Sequence, residues 1–354
     1  METNETKTET KIFDKLKNFY DVNYKKFLIL TASIVLISLF IISYNYIRTG
    51  EVIERGVSLA GGVTVTVISD KDVNTDSIAK ELSSKLNVDV SARRTAISEG
   101  KTGYFIEASN IEPDSLVKEL ALFFGELKKS DYNIEVIGPS LGKSFFKETI
   151  VAIFLAFILM GMVVFLTFAE GIKNKAIVTL ISIVAVVFAF LYLRSGSFLW
   201  MIISLILFAS NIYMYFKWNI PSFFVILAVF STITSTLAVS ILLNIKLSTA
   251  GIAAFLMLVG YSVDTDILLT TRVLRRKEGR IVDRIFSAMG TGLTMTLTSF
   301  GAVLVAYILT PSETISQIMQ ILAIGLIFDI INTWLQNASV LRWYIEAKHK
   351  HEQA

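Results

Sequence analysis

The feature that most restricts this chain is its set of long charge-free runs, at 27–47, 149–169, 176–193, 195–216, 218–245, 247–263, 285–312 and 314–328. Most approach or exceed the ~20 apolar residues that cross ~30 Å of hydrocarbon as a helix. Lipid offers the backbone no hydrogen-bond partners, so runs of this length must satisfy their own amides by coiling. Hydrophobic residues make up 53% of the chain and charged residues only 18%, in keeping with that reading. We therefore expect a polytopic α-helical membrane protein of about eight spans. The absence of cysteine excludes disulfides and thiolate metal sites. A net charge of +3 is too small to argue for nucleic acid, and no motif argues for a metal, a cofactor or a catalytic residue.

The rest of the chain arranges itself around these runs. Residues 1–26 place Ile12, Leu16, Phe19 and Tyr20 at helical spacing among Lys15, Lys17 and Lys25, which predicts an amphipathic segment on the cytoplasmic membrane face. The first transmembrane helix follows at 27–47, with Tyr44 and Tyr46 at its outer end. Residues 48–147 change character. Strands are predicted at 63–68, 88–97, 104–108 and 132–137, and amphipathic helices at 76–86 and 114–127. Strand, helix, strand, strand, helix, strand is the order of an α+β ferredoxin-like domain. A second transmembrane helix at 148–169 and a two-helix hairpin at 170–216 come next. The remaining bundle occupies 217–341 and the tail 342–354.

Orientation follows from the cations in short loops. With the N-terminus inside, the inner loops hold Lys173, Lys175, Lys217 and the very basic segment 272–284, and the tail begins at Arg342. The outer loops hold only Arg194, Lys246 and Glu313. Both termini are thus expected to be cytoplasmic and the 48–147 domain extracytoplasmic, in a multi-pass protein of the cell membrane.

Three motifs in this order carry a resemblance. Arg55-Gly-Val-Ser-Leu-Ala-Gly61-Gly62-Val-Thr-Val follows the first span, and Gly138-Pro139-Ser-Leu-Gly142 precedes the second. Gly260-Tyr-Ser-Val-Asp264-Thr-Asp266-Ile-Leu-Leu-Thr-Thr-Arg272 leads into the basic loop. Together they resemble the SecF branch of the SecD/SecF protein-export family, and Asp329-Ile-Ile-Asn-Thr-Trp334 resembles its archaeal form. The similarity runs from about residue 27 to near the end. It implies one half of a resistance-nodulation-division (RND) type transporter, completed by a SecD-like partner half. It also implies action beside Sec channel subunits of the SecYE type, on unfolded preprotein, within membrane lipids, drawing on the proton gradient. Residues 170–216 depart from the family's six spans as an apparent extra hairpin. The bacterial intramembrane aspartate matches the place of Thr265, whereas that of SecD matches Asp264. The Arg that bacterial members carry in the next helix has no counterpart, because no Arg lies between Arg284 and Arg342.

A carboxylate in a span costs about 2.5–3.5 kcal/mol on insertion scales, which marks Asp264 and Asp266 as functional candidates. At 100° per residue they point ~200° apart, so they cannot share a role. We expect Asp264, with Tyr261 on its face, to turn inward and carry the proton, and Asp266 to lie near the inner interface. Gly260, Gly290 and Gly292 are small residues suited to close helix approach. Asp329 and Asn332, with Gln336 and Asn337, form a polar stripe that faces a partner helix or solvent. Two other functions fit parts of the pattern. One is an RND half that carries lipid or a small molecule, since fold does not dictate cargo. The other is an intramembrane aspartyl protease using Asp264 and Asp329, although the Gly-x-Gly-Asp arrangement of such enzymes is missing.

Overall fold

The computed structural model describes residues 2–88, 90–96, 102–108, 111–125, 127–129, 131–276, 279–310 and 312–353. Asp89 and Ile97 of the second predicted strand, Glu126 of the second predicted helix and Lys277 of the basic loop therefore lie outside the described residues. Within the described residues, eight helices are long and apolar enough to cross a membrane.

The first departure from expectation is α1 (Glu2–Thr49), a single helix in which the amphipathic segment and the first span are continuous. No Gly or Pro interrupts residues 2–49, so nothing in the sequence ends the helix before Gly50, whose φ of 77° a side chain would oppose. Nor does this segment lie flat. Tyr20 and Tyr24 are buried against the bundle, Tyr20 Oη donating to the Trp334 carbonyl at 2.6 Å.

After the short helix α2 (Val57–Ala60) comes the α+β domain: β1 (Gly62–Ser69), α3 (Thr75–Leu86), β2 (Val90–Ala96), β3 (Thr102–Ala108), α4 (Pro113–Phe124) and β4 (Tyr132–Ile137). The sheet order is β2-β3-β1-β4, antiparallel throughout, as in a ferredoxin-like fold. Alternation in β1 explains its faces. Val63, Val65 and Val67 are buried beneath α3 and α4 with Ile78, Leu82, Leu116 and Leu120, while Thr64 and Thr66 turn to the other side. Helix α4 stops at Phe124, short of the expected 127, because Gly125 leaves helical geometry at φ 88°. Leu127 still packs on the same core from beyond the helix.

The domain is held to one end of the bundle by backbone. The Gly56 amide donates to the Leu247 carbonyl at 2.8 Å, and the Leu247 amide to the Glu54 carbonyl at 2.7 Å. Gly61 and Gly142 meet at this junction. A Cβ on Gly142 would lie 2.7 Å from the Gly61 nitrogen, so only glycine allows the two segments to touch.

The bundle comprises α5 (Pro139–Phe168), α6 (Ile172–Ser195), α7 (Phe198–Trp218), α8 (Ile220–Leu242), α9 (Thr249–Arg275), α10 (Ile281–Leu309) and α11 (Glu313–Ile331). A π-helical turn at Asn332–Asn337 joins α11 to α12 (Ala338–Gln353). Helices α6 and α7 form a hairpin through Val178, Ser182, Ala185 and Ala189, where small residues allow close contact. Asn211 Nδ2 donates to Ser182 Oγ at 3.0 Å within it. The hairpin leaves and returns at one place, since Asn219 Nδ2 donates to the Phe168 carbonyl at 2.9 Å. At the end of the bundle opposite the α+β domain, both chain termini converge. Lys17 pairs with Asp283 at 2.9 Å, Tyr24 Oη donates to Glu346 at 2.7 Å, and Arg342 pairs with Asp21.

Candidate functional site

Helix α9 packs on α5, α8, α10 and α11, and its buried stripe is Leu258, Ser262, Thr265 and Leu269. Its rotation is set by apolar fit: Leu258 lies in the space left by Gly325 of α11, where a Cβ would come within 2.4 Å. That register buries Asp266 completely and leaves Asp264 and Tyr261 on the outer surface of the helix. The expectation that Asp264 turns inward is thereby reversed. The angular argument separating the two carboxylates holds, but the choice of face depends on packing that the local sequence does not contain. Asp266 is likewise not at a wet helix end, being fully buried.

Asp266 meets the polar stripe of the last span. Asn337 Nδ2 donates to Asp266 Oδ1 at 2.8 Å. Thr265 Oγ1 donates to Asp329 Oδ2 at 3.1 Å, and Thr333 Oγ1 lies 3.5 Å from Asp329 Oδ1. The π-helical turn widens the helix so that Asn332, Thr333, Gln336 and Asn337 all point inward, each at most 8% exposed. Two of them reach α8, Asn332 Nδ2 donating to Thr232 Oγ1 and Gln336 Nε2 to Ser231 Oγ, both at 3.1 Å. Asp329 and Asn332 therefore face neighbouring helices of this chain and not solvent.

Sequence reasoning passed over Ser231, Thr232, Ser262 and Thr333. The available signal was the hydroxyl run Ser231-Thr-Ile-Thr-Ser-Thr236 inside an otherwise apolar span. Hydroxyls there also bond their own helix carbonyls, as Thr236 Oγ1 does to the Thr232 carbonyl at 2.7 Å, which makes such runs look merely structural.

The glycines divide. Gly292 faces Trp334, whose ring would lie 2.3 Å from an added Cβ. Gly260, Gly290 and Gly138 have open space where a Cβ would go, so none of these three mediates close packing within this chain. Gly138 precedes Pro139, the first residue of α5, where a fixed φ and a missing N–H suit a helix start. Among the described residues no group of three or more His, Cys, Asp or Glu could hold a metal ion. The aspartyl-protease pairing is not assembled either: Asp264 points out, while Asp329 is buried at 1% exposure.

Comparison with known proteins places this architecture. A family model described as the C-terminal part of the protein-export membrane protein SecD/SecF matches residues 118–198 and 192–347. The two matches meet within the α6–α7 hairpin. The protein-export membrane protein SecF of Pyrococcus furiosus is 32% identical over 96% of this chain and 98% of its own length. That of Thermococcus gammatolerans is 35% identical over 84% of this chain and 80% of its own. The chain belongs to the SecD/SecF protein-export family. It is a multi-pass, SecF-type membrane protein. The crystal structure of SecDF, a translocon-associated membrane protein from Thermus thermophilus, superposes with a TM-score of 0.56 at 14% identity, covering 91% of this chain. This chain spans only 38% of that one, and the likeness is one of fold. In SecF terms, the glycine motifs at 55–62 and 138–142 build the junction between domain and bundle, and the 260–272 motif divides one carboxylate outward and one inward.

Proposed function

We propose that this SecF-type chain is one half of an export motor. A SecD-like half packs against α9 and α10, and the pair assists a SecYE-type channel in drawing unfolded preprotein outward at the expense of the proton gradient. The observation that carries this is Asp264. It lies on the outer surface of a transmembrane helix beside Gly260 and the 39%-exposed Tyr261. A carboxylate facing lipid costs about 2.5–3.5 kcal/mol, a cost that a covering polar partner removes. The neighbouring surface of α10, with Gly290, Thr291, Thr294 and Thr298 exposed, is similarly small and polar.

In this reading Asp264 takes up and releases protons at the seam between halves. Both termini and the 272–284 segment face the cytoplasm, where their cations place them. The α+β domain stands outside the membrane, where it can meet emerging preprotein. The motor acts without a catalytic site. The decisive experiment is affinity purification of the full chain from its native membranes. Recovery of a homologous RND half and of channel subunits supports the reading, and recovery of the chain alone, with Asp264→Asn exporting normally, overturns it.

A second reading, an RND half that carries lipid or an apolar small molecule, is favoured by one observation. A cavity of about 490 Å³ near the outer end of α1 is lined by Ile53, Phe146, Ile153, Leu237 and Phe255. Purification without channel subunits but with bound lipid would favour it.

A further inference from the structure

The export reading gives the α6–α7 hairpin no task. At the hairpin's root, beside the arginine-rich end of the bundle, lies a cavity of about 840 Å³, a volume typical of ligand sites. Three separate parts of the chain wall it. The two ends of the hairpin contribute Glu170, Lys175 and Trp218. The end of α9 and the start of α10 contribute Arg275 and Arg284, and α12 contributes Tyr344 and Lys348. Four lining side chains are thus Lys or Arg, against the one carboxylate of Glu170.

These cations are not used up by the fold. Among the described residues no carboxylate lies within ion-pair distance of Lys175, Arg275 or Lys348. Arg275 Nη2 donates to the Thr167 carbonyl at 3.2 Å, which anchors the guanidinium at the wall and leaves most of its five N–H donors unspent. Like charges gathered around one cavity repel until an anion enters, and guanidinium groups suit phosphate above all. The rest of the wall says which kind of phosphate. Phe168, Val273, Leu274 and Ile345 are apolar, and the spans α5, α7 and α9 all end here. Trp218 and Tyr344 are the amphipathic rings expected where hydrocarbon meets headgroups. A free phosphate needs only the cations, whereas a lipid uses the apolar and aromatic wall as well.

We propose that this cavity binds the phosphate headgroup of an anionic membrane lipid, which fastens the hairpin to the basic loop and to α12. Basic pockets between spans at the cytoplasmic face take such headgroups. The orientation proposed above puts the cavity at that face. Binding of the lipid depends on neither that orientation nor export, so its failure and theirs are separate events.

The same cations also satisfy the topology rule, so the test must separate a local site from general positive charge. The chain supplies two matched pairs: Lys175 and Arg275 line the cavity, while their exposed neighbours Lys173 and Arg276 do not. The full chain is purified in a neutral detergent and titrated with phosphatidylglycerol, with phosphatidylcholine, and with pyrophosphate as the free anion. Native mass spectrometry counts retained lipid, and thermal unfolding reads stabilisation. The parent should retain phosphatidylglycerol in preference to phosphatidylcholine and melt higher with it, because a ligand of the folded state stabilises that state. Lys175→Gln, Arg275→Gln and Lys348→Gln should each weaken phosphatidylglycerol binding about fivefold, while Lys173→Gln and Arg276→Gln leave it at the parent's level. All five should melt with the parent when no lipid is added, since their side chains make no ion pair within the fold. Equal losses across each matched pair would overturn the proposal, as would equal retention of the two lipids. Stabilisation by pyrophosphate alone matching that by phosphatidylglycerol would also overturn it, in favour of a soluble phosphate ligand.

Discussion

At the scale of single residues, the two glycines of α10 make opposite predictions. A side chain at 292 collides with the Trp334 ring, its Cβ only 2.3 Å away, and Trp334 is buried at 3% exposure with no room to withdraw. Overpacking of this kind costs about 1–3 kcal/mol. Gly292→Leu should therefore lower the melting temperature of the purified chain by several degrees. Gly290→Leu meets nothing within this chain and should leave that temperature unchanged, but it should reduce recovery of the partner half on affinity purification. A drop in melting temperature for Gly290→Leu equal to that of Gly292→Leu would show that the outer face of α10 is part of this chain's own core. Asp264→Asn keeps side-chain volume and removes the exchangeable proton. It should accumulate and assemble normally while losing gradient-stimulated export in energised vesicles; stimulation equal to the parent's would retire proton coupling at this residue. Sequence alone located these carboxylates in a span and separated their faces by helical geometry. It did not reveal which face is inside, because that is decided by Leu258 seating against Gly325, a contact between residues far apart in the chain.

At the scale of elements, legibility followed the source of the forces. The strands of the α+β domain were readable because β-branched alternation such as Val63-Thr-Val-Thr-Val67 records burial directly in the local sequence. Continuity of α1 was not, since charges at 14–26 resemble a surface segment until Tyr20 and Tyr24 are seen to dock on the last span. The π turn was equally hidden: Asn332 to Asn337 has no breaker residue, and the distortion arises where polar side chains converge on α8 and α9. The α6–α7 hairpin supports a prediction at this scale. Its flanks already touch through the Asn219–Phe168 hydrogen bond at 2.9 Å, so residues 170–216 can be excised and the chain closed across a short gap. Removing two spans conserves parity. The shortened protein should insert with its C-terminus on the parent's side, at lower stability, because Tyr215 no longer fills the space beside Gly161 and Phe165. A reporter after Ala354 that changes sides would show that the hairpin takes part in setting topology.

At the scale of the whole molecule, the fold divides the chain's charge between two ends. Lys17, Asp21, Asp283, Arg342 and Glu346 knit the termini and the loop before α10 into one polar cluster. At the other end, the α+β domain sits on the 246–249 and 312–317 segments, with a polar cleft of about 350 Å³ between its open sheet face and the bundle. The geometry relates the two ends to each other, and the distribution of loop cations relates them to the cell. Arg272, Arg275, Arg276, Arg280 and Arg284 crowd the terminal end, whereas Lys246 is the only Lys or Arg in the 243–248 turn at the domain end. Cations in short loops are retained on the cytoplasmic side. In spheroplasts, added protease should therefore cut within 48–147 and leave 272–284 intact until the membrane is permeabilised. Cleavage of the arginine-rich loop in sealed spheroplasts would invert the molecule. The α+β domain would then face the cytoplasm, away from emerging preprotein, and the proposed direction of export could not be kept.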